Sequence, residues 1–354
     1  MNDDKEKPQE EKGKKSKDKK EPADTKKKKK NKKLTKAKII TIIFASVAAL
    51  IAIVVIVVNI FIPVKYLASY CVSGNRAKTG ILRVSFVDVG YGDCIIIELP
   101  DGKNMLIDAG NGEFSKNSRV LKELNRRDID IIDYLICSSV NGEHCGGLSD
   151  VIRYKNVRNI FMPYCENKYI TDEFCDFCEQ SKKCKADIIY SEYKSGIKTN
   201  DYFFTFLSPS VKEYDDGEYA HLNEKPTRTN RNNASAVIWL EYSGTAFLFT
   251  SDVEKEILNS VMNSYEVDPE NYPVNLKKCN IVQLAGHGNA DSASALFYDF
   301  ICPETAVLSV GENGYGSPSV QVISDVLNCG ANLYRSDEYG NIIIEVNQNG
   351  YIVK

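Results

Sequence analysis

Three histidines, His144, His221 and His287, are all that this 354-residue chain offers for imidazole chemistry. Any metal centre must therefore rest on few imidazoles. His144 follows Glu143 and precedes Cys145-Gly-Gly, and His287 stands inside Gly286-His-Gly. His221 lies in the polar stretch between Lys212 and Arg231, in Tyr-Ala-His-Leu-Asn, and reads as a solvated loop residue because no ligand spacing surrounds it. Carboxylates are placed at expected strand ends. Asp88 and Asp93 flank Val-Gly-Tyr-Gly, where Gly90 and Gly92 permit a tight turn, and Asp108 closes Met105-Leu-Ile. Cys165, Cys175, Cys178 and Cys184 fall close together. A zinc knuckle would want a second C-x2-C beside the first, so these read as plain thiols or as disulfides whose pairing the sequence leaves open. Cys94 and Cys137 sit in apolar runs and read as core.

Apolar runs predict strands at Leu82–Val87, Cys94–Leu99, Asn104–Ile107, Tyr134–Cys137, Phe203–Leu207, Ala236–Tyr242, Ala246–Phe249, Ile281–Leu284, Ala306–Val310 and Ile342–Val346. Helical spacing is found at Ser118–Arg127, Leu148–Tyr154, Asp172–Lys182, Glu254–Met262, Ser292–Phe300 and Ser319–Leu327. Hairpins come first and strand–helix alternation follows, which predicts an α/β sandwich of mixed sheets rather than a doubly wound parallel sheet.

The formal charge of −3 is a cancellation. Residues 1–38 carry 17 Lys and 8 Asp/Glu, a balance of +9; the remainder carries 28 basic and 40 acidic residues, a balance of −12. A uniformly basic nucleic-acid binder is disfavoured by that split. Residues 1–37 have almost nothing apolar and read as a disordered Lys-rich tail. Ile39–Ile62 are 24 residues without a charge, enough at ~1.5 Å per residue to span a hydrocarbon core of about 30 Å. A transmembrane helix is expected over residues 38–64, a linker over 65–79 and one domain over 80–354. The Lys flank predicts a cytoplasmic N-terminus and an extracytoplasmic C-terminal domain in a single-pass membrane protein.

Phe86-Val-Asp-Val-Gly-Tyr-Gly-Asp-Cys94, followed by Met105-Leu-Ile-Asp-Ala-Gly110, resembles the opening of the metallo-β-lactamase fold in ComEC-type competence proteins, where D-V-G-Q-G-D leads to L-I-D-x-G. Ile132–Leu148 resembles that family's strand and metal loop. Asn233–Asp252 resembles its N-x-S-x-V hairpin, and Ala285-Gly-His-Gly-Asn289 stands where it has H-H-G-S. Val310–Pro318 and Tyr334–Gly340 are similar to its closing motifs. The resemblance runs over about residues 80–350 and implies an αββα sandwich. It also implies a metal-dependent hydrolase site, read in that family from T-H-x-H-x-D-H.

The chain departs from that pattern. Ser139 and Asn141 replace the two loop histidines, Glu143 replaces the Asp, and Gly286 takes the first position of H-H-G. By the resemblance, the remaining metal ligands are Glu143, His144, Asp252 and His287, with Asp252 and His144 the catalytic candidates. Asp88, Asp93, Asp108, Ser139 and Asn141 read as support for the site loops. Either no cofactor binds, or one divalent metal, zinc or manganese, does. Two functions stay open: a binding or assembly domain without turnover, and a single-metal phosphodiesterase-like hydrolase linked to DNA uptake. The partners implied are the membrane and other membrane or DNA-uptake proteins. Nucleic acid is unsupported by net charge, unless Arg126-Arg127 or Lys277-Lys278 forms a local basic groove.

Overall fold

A computed structural model describes residues 35–61, 76–112, 118–164, 170–209 and 226–354. His221, Cys165 and most of the expected tail and linker lie outside these residues. Helix α1, Lys36–Phe61, covers 26 residues, and its described apolar side chains are exposed. Those side chains are described without a break only over 38–54, and no such described stretch is long and apolar enough to cross a membrane.

Residues 59–354 form a separate compact unit built on two mixed sheets. The first has the order β15-β14-β1-β2-β3-β4-β5-β6. Its strands are β1 (Leu82–Phe86), β2 (Ile95–Glu98), β3 (Asn104–Ile107), β4 (Ile131–Ile136), β5 (Asn156–Met162), β6 (Asp187–Tyr190), β14 (Ile342–Asn347) and β15 (Gly350–Val353). The second has the order β13-β12-β11-β10-β9-β8-β7. It contains β7 (Gly196–Lys198), β8 (Tyr202–Ser208), β9 (Val237–Tyr242), β10 (Thr245–Phe249), β11 (Ile281–Gln283), β12 (Thr305–Leu308) and β13 (Asn332–Arg335).

Alternation along the strands explains the layering. Ile95 and Ile97 of β2 join Phe247 and Phe249 of β10 in one inner core, which both sheets share. Ile96 points the other way, into a layer with Leu121 and Leu124 of α2 (Arg119–Arg126) and Phe174 and Phe177 of α5 (Asp172–Lys183). Trp239 and Leu248 point outward from the second sheet to α7 (Lys255–Val267), α8 (Ala295–Ile301) and α9 (Val320–Asn328). Strands with both faces buried read as continuous apolar runs, and a period of two divides them between layers. The α/β two-sheet architecture expected from the sequence is the one observed.

The topology also decides where chemistry can sit. β3 runs parallel to β4, and β10, β11 and β12 run parallel to one another. Their carboxyl ends, and the turn after β1, deliver loops to one end of the sandwich, where open α/β sheets place ligands.

In the turn after β1, Gly90 and Gly92 both have positive φ, 84° and 151°. A Cβ on Gly90 would meet nothing within 4 Å, whereas one on Gly92 would lie 2.4 Å from the Glu143 carbonyl oxygen. Gly90→Ala should cost only the backbone term, about 1–2 kcal/mol. Gly92→Ala must also push the β4 loop away and should cost about 2–4 kcal/mol. Urea unfolding of the two variants checks the order, and equal losses would contradict it.

Candidate metal centre

Five side chains meet at the shared end of the sheets: Asp93, Asp108, His144, Asp252 and His287, each at most 3% exposed. Asp93 ends the β1–β2 turn and Asp108 follows β3. His144 lies in the one-turn helix α3, Gly142–Cys145, after β4. Asp252 follows β10, and His287 sits in the 3₁₀ segment Ala285–Gly288 after β11. Asp108, Ser251 and His287 all hold left-handed backbone, with φ of 58°, 49° and 52°. Such conformations disfavour side chains other than glycine and collect at functional sites.

Both rings are oriented by a partner on Nδ1. His144 Nδ1 faces Asp108 Oδ2 at 2.9 Å, and Asp108 is itself held by the Ser138 N–H, at 2.8 Å, and by the Ser138 hydroxyl. The Ser138 hydroxyl reaches Ser251 across the sheets at 2.6 Å. His287 Nδ1 lies 3.0 Å from the Ser309 carbonyl oxygen. A carbonyl can only accept, so Nδ1 donates there and Nε2 is the ring atom turned to the centre. His144 Nε2 stands 3.1 Å from Asp252 Oδ2, and His287 Nε2 stands 3.6 Å from Asp252 Oδ1.

Two of the converging atoms are left unsatisfied. His287 Nε2 and Asp93 Oδ1 are buried and have no hydrogen-bond partner among the described residues, while His144 Nε2 has only Asp252 Oδ2, at 3.1 Å. The ligand atoms of His144, Asp252 and His287 lie within 4.8 Å of each other. Nitrogen and oxygen ligands at about 2.0–2.2 Å from a zinc-sized ion stand at such mutual separations. A second grouping, Asp93, Asp108 and His144, shares the same ring, but there Asp108 serves Nδ1 and acts as the outer partner that fixes a ligand. The donor set therefore fits one divalent cation at His144, His287 and Asp252, with Asp93 beside them.

The remaining expected residues are placed differently. Glu143 is half-buried and stands outside both groupings; its backbone oxygen accepts the Asp93 N–H at 3.1 Å. Asp88 braces its own turn through the Gly90 N–H at 2.9 Å and receives Arg119 on its backbone oxygen. Ser139 is buried and accepts the Asn141 N–H. Asn141 touches the centre directly, donating from Nδ2 to Asp252 Oδ2 at 2.7 Å and to Asn232 Oδ1 at 2.9 Å. Gln283, which donates to Asp93, was not anticipated, although a glutamine inside an apolar strand is a signal. Arg126-Arg127 forms no surface patch, since Arg127 is fully buried against Glu98 and Glu123. Cys175 and Cys178 lie on α5 and Cys184 at its end, all half-buried.

Tyr91 lies over the centre, its ring 4.5 Å from that of His287 and 5.1 Å from that of Tyr315. Burial and then the Asp252 charge push its hydroxyl up to about 12, so it stays a neutral phenol. Beside it a cleft of about 840 Å³ runs past Asp88, Asn111, Arg119, Asn313 and Arg335.

No protein-family profile matches the chain. Curated relatives do. ComE operon protein 3 of Bacillus subtilis is 24% identical over 73% of this chain and 32% of its own length. Competence protein ComA of Neisseria gonorrhoeae is 24% identical over 75% and 33%. These competence proteins are homologues of the chain. The chain spans about a third of the length of the two homologues. Its structural neighbours are metallo-β-lactamase fold proteins. They include YhfI of Bacillus subtilis, 12% identical with TM-score 0.44 over 75% of this chain and 99% of that one. A diphosphatase of the PhnP family is 10% identical with TM-score 0.40, over 73% and 95%.

Without a cation, the centre must balance its own charge. Burial, the largest influence on His144, favours the neutral ring, yet the Asp252 and Asp108 charges outweigh it and hold its pKa well above the ordinary 6.5. Burial likewise opposes ionisation of Asp252, but His144 holds that carboxyl well below its ordinary 3.8. In chelator-treated protein the His144 contribution to stability is therefore complete below about pH 6.5 and is lost as pH rises through the folded value. The Asp252 contribution is present above about pH 3.8 and is lost as pH falls through its lower folded value. Nitrogen-15 NMR of the His144 ring at pH 7 should show both nitrogens protonated; a neutral ring would contradict the assignment.

Proposed function

We propose that this chain is a membrane-anchored, extracytoplasmic ComEC-type domain that holds one divalent cation and engages phosphodiester groups in DNA uptake. The observation that carries the reading is the convergence of His144 Nε2, His287 Nε2 and Asp93 Oδ1 around Asp252, the last two buried and without a partner among the described residues. Leaving such atoms unmatched costs stability unless something fills the space between them. The competence homologues support the biological setting. The 26-residue helix α1, with its Lys-rich N-terminal flank, supports an anchor over about residues 38–64, with a cytoplasmic tail before it and the domain after the linker.

A cation bound there supplies Lewis acidity toward a phosphoryl oxygen and toward water. The chain's residues supply the rest. Asp108 and the Ser309 carbonyl fix both imidazoles so that each offers Nε2. Gln283 positions Asp93, and the Tyr91 ring keeps bulk water from the His287 face. Zinc and manganese both suit two imidazoles and carboxylates.

A reading without turnover, as a binding or assembly domain, is favoured by one specific observation. Where the resemblance places a second loop histidine, the Asn141 amide donates to Asp252 and so occupies that carboxylate. Metal analysis and a phosphodiesterase assay separate the readings. The full chain, purified in detergent and loaded with zinc or manganese, should retain about one metal per chain, and Asp252→Ala and His287→Ala should each retain less than about a tenth of that. A wild type that retains none ends the cation reading. One that retains metal but leaves bis(p-nitrophenyl) phosphate intact favours binding over hydrolysis. For topology, protease added to intact cells should remove residues 80–354 and spare the Lys-rich tail; the opposite pattern would reverse the orientation.

A further inference from the structure

The centre holds three carboxylates, Asp93, Asp108 and Asp252. A phosphodiester is itself an anion and would approach these carboxylates, so a positive side chain at the mouth would favour its binding. Where the resemblance places two loop histidines, this chain has Ser139 and Asn141.

The Asn141 amide is fixed in one orientation. Its NH₂ must face Asp252 Oδ2, which can only accept, so its oxygen faces outward. There it accepts Arg231 Nε at 3.0 Å. Arg231 belongs to helix α6, Arg228–Asn233, and is half-buried. Among the described residues its only other contact is from Nη1 to the Pro226 carbonyl oxygen at 3.4 Å. Among the described residues no carboxylate pairs with it, and Nη2 has no partner. A half-buried guanidinium with an open edge, one amide away from the carboxylate that faces both imidazoles, is prepared for an oxyanion. Arg228 is one turn earlier on the same helix. Its guanidinium lies 5.6 Å from the centre of the Tyr315 ring, which packs on Tyr91 and so on toward His287. The two arginines and the cation site thus share one mouth.

We propose that Arg231, held by Asn141, binds the phosphate group opposite the cation and supplies positive charge at the mouth, with Arg228 as its outer neighbour. This rests on the one-cation reading above. Net charge hides the pair, because the body is acidic overall while these two guanidinium groups stand where the phosphate arrives.

The test is calorimetric titration of inorganic phosphate into the manganese-loaded full chain in detergent, with metal content measured on the same samples. Arg231→Gln should weaken phosphate binding about 10- to 100-fold while manganese stays at the wild-type level. Arg231→Lys, which keeps the charge without the fork, should fall between, and Arg228→Gln should lose only a few-fold. Thermal unfolding midpoints within a few degrees of wild type keep the comparison one of folded proteins. Wild-type phosphate affinity in Arg231→Gln with metal retained overturns the proposal and leaves the cation reading standing. Joint loss of metal and phosphate in that variant also overturns it, because Arg231 would then only support the metal site. Phosphate binding that persists in metal-free Asp252→Ala overturns the shared mouth. A wild type that takes up no metal overturns both readings together.

Discussion

Asp252 is the residue on which the rest of the site depends. At 3% exposure, a carboxylate needs donors or cations on every side, or it would not stay ionised. Its Oδ2 faces Asn141 and His144, and its Oδ1 faces His287. Asn141 and His144 arrive from the loop after β4, and His287 from the segment after β11. Satisfying one side chain therefore fixes the β4 loop, the β10 turn and the 3₁₀ segment relative to one another. The Ser138–Ser251 hydroxyl contact ties the same two sheets a few ångströms away.

That carboxylate has two ways to be balanced. Protonated His144 balances it from within, and a divalent cation would release that proton as it bound. The fold need not change between the two, since both rings are already held through Nδ1. Asn141 fits this scheme better than an apolar replacement would. A hydrocarbon side chain would leave Asp252 Oδ2 short of a donor, whereas an amide donates inward and accepts outward at once.

The architecture was legible where strands are buried on both faces. Runs such as Cys94–Leu99 and Ala246–Phe249 gave β2 and β10 to within a residue or so. The expected strands do not include β6, β7, β13 and β15, short edge strands whose residues are mostly exposed or half-buried and whose apolar runs are three residues at most. β5 was missed for the same reason in its first half. At the site, the family resemblance pointed to His144, Asp252 and His287. Asp93 and Asp108 read only as braces, because an aspartate beside a glycine turn looks alike whether it faces solvent or a pocket. Glu143, picked from motif alignment, sits one residue along a helical turn from His144, so its side chain leaves on another face. Arg231 carried no signal of its own; only the fold shows that its neighbour at the mouth is Asn141.

Gly286 constrains how this chain can vary. It precedes His287 in left-handed backbone, and a Cβ there would lie 2.3 Å from Asn289 Nδ2 and 2.5 Å from Ser292 Oγ. Those two side chains are buried and engaged: Asn289 receives the Ser292 N–H, and Ser292 bonds the Val253 carbonyl. A side chain at 286 must therefore displace both, and a histidine placed there would be accommodated only with accompanying changes at Asn289 and Ser292.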